Sequence, residues 1–264
     1  MTRTGLLLVL VLLAGCSGNL REHPRTASYK VIDPYGSSLR TAAASAAAEH
    51  PGGRSGVRLL ENGPDAFAMR ALLTMRAEQT LDVQAYLVHD GLTTRVLMHL
   101  VLEAAERGVR VRILLDDTAS RGNDFATATL AAHPNIEVRL FNPMHAGREN
   151  IVTSSVMLLT HLNRLHRRMH NKLWVVDNAV AITGGRNLGD EYFGAAADVN
   201  FADIDVLLAG PVVEELSTAF DTYWNSDNAV PVEAFLRTRP GRRHFDRLRE
   251  RLQQEVNHHK TVDS

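Results

Sequence analysis

The 264-residue chain has one cysteine, Cys16, which excludes an internal disulfide framework and any cysteine-based zinc cluster. It has no excess of charge, since 29 basic and 30 acidic residues leave a formal net charge of −1. That balance excludes a protein that coats polyanions over its whole surface, although a local basic strip is compatible with it. Gly and Pro, at 18 and 9, are too few for a collagen-like or low-complexity chain. No unit of roughly 20–50 residues recurs, which argues against solenoids and propellers. The apolar run from Gly5 to Gly15 falls far short of the ~20 residues that cross a bilayer. With 45% apolar and 22% charged residues, the remainder has a globular composition and enough length for a proper core.

The Gly5–Gly15 run follows Arg3 and suits a signal-peptide core. It ends Leu13-Ala14-Gly15-Cys16-Ser17, which resembles a bacterial lipobox. The resemblance implies cleavage before Cys16, acylation of that cysteine, and a lipid anchor facing the periplasm or cell exterior. The plainer alternative is an ordinary signal peptide with an incidental cysteine. Several acyl chains on one residue hold a membrane far more firmly than one. Residues 1–15 are thus expected as signal peptide. Residues 16–58, rich in Ser, Ala, Gly, Arg and Pro, are expected as a tether with one short helix.

From Leu59 the pattern turns regular. Gly63-Pro64-Asp65 opens a helical stretch to about Gln79. Strand-like alternation at 81–88 and 109–115 brackets helical spacing at 92–107, and a helix near 124–132 leads to a strand at 136–141. A helix is expected over 146–167, strands near 170–176, 179–183 and 204–209, and a helix over 211–224. The alternating order predicts an α/β lobe over 59–230, its mixed, mainly parallel sheet flanked by helices on both faces. Residues 231–264 are expected as a charged helical tail or an inter-lobe linker.

Chemistry concentrates in His170-Asn171-Lys172 through Asn187. Residues two apart on a strand share a face, so His170 and Lys172 converge on one small volume. Asp177-Asn178 makes a turn, and Gly184-Gly185 permits close backbone approach to a ligand. An imidazole, a cation and the amide of Asn187 around one point suit an anionic reacting centre such as a phosphodiester.

The spacing H-x-K-x4-D-x6-G-G-x-N resembles the signature motif of the phospholipase D superfamily. The likeness extends from about residue 59 to 226, including Asp82–Tyr86, Leu114–Asp117 and Gly189–Phe193. Phe201–Asp205 and Tyr223–Ser226 look most like the bacterial cardiolipin synthases. The resemblance implies a phospholipase D-like fold, with His170 as the nucleophile forming a phosphohistidine. Lys172, Gly185 and Asn187 would bind phosphate oxygens, and Asp177 would give a supporting hydrogen bond. Asp203 is the expected carboxylate orienting His170, with Asp205 and Asp198 as alternatives. The implied chemistry uses no metal or other cofactor.

The family builds a site from two such motifs, and this sequence has one. The expected partners are therefore a phospholipid, a membrane and a second motif-bearing half. That half comes from a second copy of the chain or from a further lobe, which the linker-like tail favours. Phosphatidyl transfer yielding cardiolipin-like lipids is the expected reaction. The alternatives are a metal-independent nuclease dimer and an inactive half that only binds lipid or a partner chain. Nucleic acid is the less expected substrate for a net-neutral chain.

Three further readings follow from the residues. His161, His166 and His170 suggest a helical metal site, but the glutamate of H-E-x-x-H is missing, and Trp174 and its valine neighbours favour a strand. Arg164, Arg167, Arg168 and Lys172 form either a solvated charged face or a lip attracting phosphates. Asp116-Asp117 after a strand caps the next helix more readily than it binds Mg²⁺. Trp174 and Phe193 are expected in the core.

Overall fold

The computed structural model describes residues 25–31, 36–50, 52–117, 124–143, 168–236 and 240–262. Helix α1 (Ser38–Ala48) precedes strand β1 (Gly56–Leu60). There follow α2 (Gly63–Arg76), β2 (Thr80–Ala85), α3 (Leu92–Glu106), β3 (Arg110–Asp116), α4 (Asp124–Leu130) and β4 (Ile136–Phe141). The second half comprises β5 (Leu173–Val176), β6 (Val180–Gly184), the short α5 (Asp190–Phe193), β7 (Asp205–Ala209), α6 (Pro211–Trp224), β8 (Ala229–Pro231) and α7 (Arg242–Val262). Local chemistry places several boundaries. The Asn62 side chain accepts from the Asp65 amide at 2.8 Å, and Pro64 occupies the first turn of α2, where its missing N–H costs nothing.

The eight strands form one sheet in the order β1-β7-β6-β5-β2-β3-β4-β8. Only the β2–β3 and β3–β4 ladders are parallel, and the other five are antiparallel. The expectation of a mainly parallel sheet is therefore corrected. A parallel pair needs a long crossover, and α3 and α4 supply two of them. Asp177 and Asn178 instead take left-handed φ values of 54° and 49°, and this tight turn reverses β5 into β6. Aspartate and asparagine tolerate that region better than other side chains.

Helices cover both faces. Leu81, Val83, Val111, Ile113, Val138, Trp174 and Ile182 pack toward α2, α3 and α4 in the larger core. Phe193 belongs to the same core and, like Trp174, is 2% exposed. The opposite face meets α6 through Leu114, Val175, Phe220 and Trp224. That second face also carries charge. Arg112 forms two 2.7 Å hydrogen bonds with Asp82, sits 2.8 Å from Asp221, and stacks on Phe220. A buried guanidinium is tolerable only when paired and hydrogen-bonded in this way.

These buried cations also need acceptors outside the sheet, and the chain before β1 supplies them. Arg112 donates to the Ser28 carbonyl and Arg139 to that of Thr26, each at 2.7 Å, while the Lys30 amide donates to Asp221 at 2.8 Å. Arg40 of α1 donates to the Asp177 carbonyl at 3.1 Å. The described part of the expected tether is thus docked on the lobe, and its last residues belong to edge strand β1. Likewise, the expected tail begins within β8, and its helix α7 buries Leu252 to 5% exposure rather than standing free. Cys16 and the expected helix over 146–167 lie outside the described residues.

Candidate active site

The antiparallel half of the sheet determines where the motif meets. β5 runs antiparallel to both β2 and β6, and β6 to β7. The C-terminal ends of β2 and β6 therefore lie beside the N-terminal ends of β5 and β7. Tyr86, the His170–Lys172 entry, Gly184–Asn187 and Asp203–Asp205 all fall at that end.

His170 is exposed, and its ring packs against Tyr86 with centroids 4.7 Å apart and planes at 55°. Lys172 is 5% exposed; its Nζ donates to the His170 carbonyl at 2.8 Å and lies 5.1 Å from the Tyr86 ring centroid. Burial pushes the Lys172 ammonium below its ordinary pKa, against the opposing pull of Asp203 and Asp205. A partly desolvated cation beside an exposed imidazole attracts an anion more strongly than a hydrated lysine does.

Asn187 is held at both ends of its amide. Its Oδ1 accepts from the Leu87 amide at 3.1 Å, and its Nδ2 donates to the Tyr192 hydroxyl at 2.9 Å. The backbone donor fixes which end is oxygen and leaves a second Nδ2 hydrogen available for substrate. Gly185 has a structural part in the turn. Its amide donates to the Ile204 carbonyl at 3.1 Å, so it is already committed. A Cβ at Gly185 would overlap the Asp203 carboxylate, and one at Gly184 would overlap Asp205. The glycine pair lets the following acidic residues close on the turn.

The expected acidic residues separate into distinct positions. Asp203 packs against Gly185, accepts from the Ile204 amide at 2.8 Å, and supports the charge on Lys172. Asp205 is fully buried between Arg70, at 3.0 Å, and Arg186, at 3.6 Å. Asp198 lies on an exposed loop. Among the described residues none of the three hydrogen-bonds the His170 ring, whose shown contact is Tyr86. Asp177 is at the opposite end of β5. Its carboxylate accepts from the amides of Gln79 at 2.8 Å, Thr80 at 2.9 Å and Glu78 at 3.2 Å. This motif aspartate ties the hairpin to the entry of β2 and is not grouped with His170.

Other residues support the site from outside the histidine–lysine–asparagine motif. The Asp116 carboxylate, at the end of β3, accepts from the Met169 amide at 2.9 Å and lies 3.3 Å from Arg168. The strand-end aspartate expected to cap a helix anchors Met169, the residue before His170. Arg70, a lone cation on the buried side of α2, reaches the base of the glycine turn through Asp205. Tyr86 follows directly on the alternation of β2, which was the available signal for it. Of the basic strip, Arg168 is described and paired, while Arg164, Arg167, His161 and His166 lie outside the described residues.

The profile of the family described as "Cardiolipin synthase, PLD-like domain" matches residues 72–224. Cardiolipin synthase C of Escherichia coli (strain K12) is 44% identical over 198 residues, covering 75% of this chain and 41% of that protein. An uncharacterized protein of Helicobacter pylori (strain ATCC 700392 / 26695) is 37% identical over 224 residues, covering 85% of this chain and 44% of its own length. The chain thus spans less than half the length of these relatives. Among solved structures, NucT from Helicobacter pylori aligns over 67% of this chain and 98% of its own, at a TM-score of 0.49 and 15% identity. The matched region runs from α2 through α6 and contains Tyr86, Asp116, the whole histidine–lysine–asparagine constellation and the acidic pair behind its glycine turn. On that match, the chain belongs to the phospholipase D-like family of cardiolipin-synthase-type domains.

Proposed function

We propose that this lobe transfers a phosphatidyl group between phospholipids through a phosphohistidine on His170, yielding cardiolipin-like products. The observation that carries this reading is the exposed His170 imidazole beside the partly desolvated Lys172 ammonium, with a spare Asn187 N–H on the same end of the sheet. An imidazole nitrogen of His170 attacks phosphorus, and the bond to the departing alcohol oxygen breaks. Lys172 and Asn187 hold charge on the non-bridging oxygens, where loss of one such donor typically costs ~10²–10³ in rate. Tyr86 sets the ring plane, and Asp203 keeps Lys172 protonated. The departing oxygen takes a proton from a second motif-bearing half, supplied by another copy or a further lobe. That half then accepts the proton of the incoming alcohol as it attacks the phosphohistidine and frees His170. Acylated Cys16 would hold the lobe at the membrane that contains its substrate.

The test supplies phosphatidylglycerol vesicles to the chain in the presence of a second motif-bearing half. Cardiolipin-like lipid and released glycerol are expected; no lipid product, or cleavage of DNA in its place, contradicts the reading. The pH profile gives a further expectation. Since burial lowers the Lys172 pKa, the ammonium is lost at a lower pH than in free lysine. The alkaline fall in kcat/KM should therefore centre below 10.5, the ordinary lysine value, and should disappear in Lys172→Arg. A limb at or above that value removes Lys172 from the titration.

A further inference from the structure

An apolar cavity of about 280 Å³ lies on the face of the sheet opposite α6. Val83, Ile113 and Val138 form its floor, Leu248 and Leu252 of α7 its roof, and Leu188 its end nearest the site. Close-packed interiors contain few voids larger than a water molecule. A dry apolar cavity of ~150 Å³ already binds small hydrocarbons, and small-molecule sites begin near ~300 Å³. The size and lining therefore suit a hydrocarbon chain better than a vacancy.

Two further observations give the cavity a direction and a polar contact. Leu188 and Val88, both lining residues, bridge one another in parallel, and the Leu188 amide donates to the Leu87 carbonyl at 3.2 Å. Asn187 is adjacent to Leu188, and Tyr86 is two residues before Val88. One short bridge thus separates the cavity from the phosphate-binding groups. Inside, Thr94 is 6% exposed, lines the cavity, and has a hydroxyl with no hydrogen-bond partner among the described residues. An unpartnered buried hydroxyl is costly unless a ligand satisfies it. His89, Asp90, Arg95 and Arg251 form a polar rim at the opening, with Arg95 paired to Asp90 and Glu255, Arg251 to Glu255, and His89 to Glu191.

We propose that this cavity holds one acyl chain of the phospholipid whose phosphate reacts at His170, with the Thr94 hydroxyl donating to that chain's ester carbonyl. The inference rests on the lipid reading above and adds to it a tail site roofed by α7. The tail fixes the phosphate relative to His170, so binding energy remote from phosphorus contributes to orientation at the reacting centre.

The test is calorimetric titration of the full chain carrying His170→Asn, which removes turnover from the measurement. The probes are dioctanoyl phosphatidylglycerol, kept below its micellar concentration, and glycerophosphoglycerol, the same headgroup without tails. The lipid should bind at least about tenfold more tightly. Filling the cavity with Val138→Phe or Met98→Phe should remove that preference and leave headgroup affinity unchanged. Thr94→Val should weaken lipid binding about fivefold, the size of one lost hydrogen bond, while raising the Tm of the lipid-free protein. Thr94→Val carries the test if the filled variants do not fold. Equal affinity for the two probes, or a preference that survives both kinds of variant, overturns the tail site. Wild-type turnover, measured with a second motif-bearing half present, separates the two assignments. Turnover without tail preference removes the tail site alone, whereas tail preference without turnover removes the catalytic reading alone.

Discussion

His170→Asn should lower phosphatidyl transfer by about 10⁴-fold or more, the usual scale for loss of a catalytic-triad group, with no loss of stability. The side chain is exposed and its shown contact is the Tyr86 ring, so asparagine leaves no cavity and no buried partner unsatisfied. The contact that holds Lys172 comes from the backbone carbonyl of His170, which the substitution keeps. The cation and the Asn187 amide thus remain in place, and the nucleophile alone is lost. Steady-state rates on phosphatidylglycerol with a second half present, read beside a thermal melt, check this. A variant within tenfold of wild type would move the nucleophile elsewhere.

Asp177→Ala should have the reverse profile, losing the fold before the chemistry. The carboxylate is 1% exposed and is the acceptor for three successive backbone amides, Glu78 to Thr80, at the entry of β2. Hydrogen bonds to a charged group contribute ~1.5–3 kcal/mol each, not additively. Alanine in the left-handed region adds ~1–2 kcal/mol, since Asp177 has φ 54°. A destabilisation of about 3–5 kcal/mol by urea unfolding is expected, a large part of a typical domain's ~5–15 kcal/mol. Asp177→Asn keeps one amide oxygen as acceptor and should be milder, with residual activity in proportion to the folded fraction. An Asp177→Ala protein of normal stability and no activity would instead return this aspartate to the reacting centre.

The contrast between these two residues shows what the sequence carries and what it withholds. The motif is legible as a spacing, although His170 and Lys172 lie just before β5 rather than on one face of a strand, the first exposed and the second buried; the glycine turn brings Asn187 back to the same end. Asp177 is legible as a motif member but not by location, because its place depends on the hairpin that it forms. The trio β2, β3 and β4 and its crossover helices follow from switches between two-residue and 3.6-residue periodicity. Antiparallel pairing of β5, β6 and β7 does not, since the same alternation serves either direction. Strand β1 had no alternation to find, with Gly56 to Leu59 all exposed on the sheet edge. Tyr86 and Asp116 lie in segments that carry the family likeness, but their contacts with the His170 region, like the reach of Arg70 from its helix, follow only from tertiary proximity. The docking of residues 25–31 follows from buried arginines seeking carbonyls, a demand that composition conceals.

The same geometry gives the glycine pair a structural part at the end of the sheet that holds the motif. Removing two Cβ atoms lets Asp203 and Asp205 approach the turn, where one supports the charge on Lys172 and the other locks Arg70 and Arg186 beneath it. The site thus combines an exposed imidazole with donors held by fixed partners, the preorganisation that electrostatic stabilisation needs.

The most direct measurement is to quench the protein, with its complementary half present, after brief exposure to phosphatidylglycerol labelled with radioactive phosphorus, and then to map the label. The account predicts a covalent adduct that is acid-labile and alkali-stable, confined to the peptide containing His170 and absent from His170→Asn. Product formation without any such adduct, or label on another residue, would contradict it.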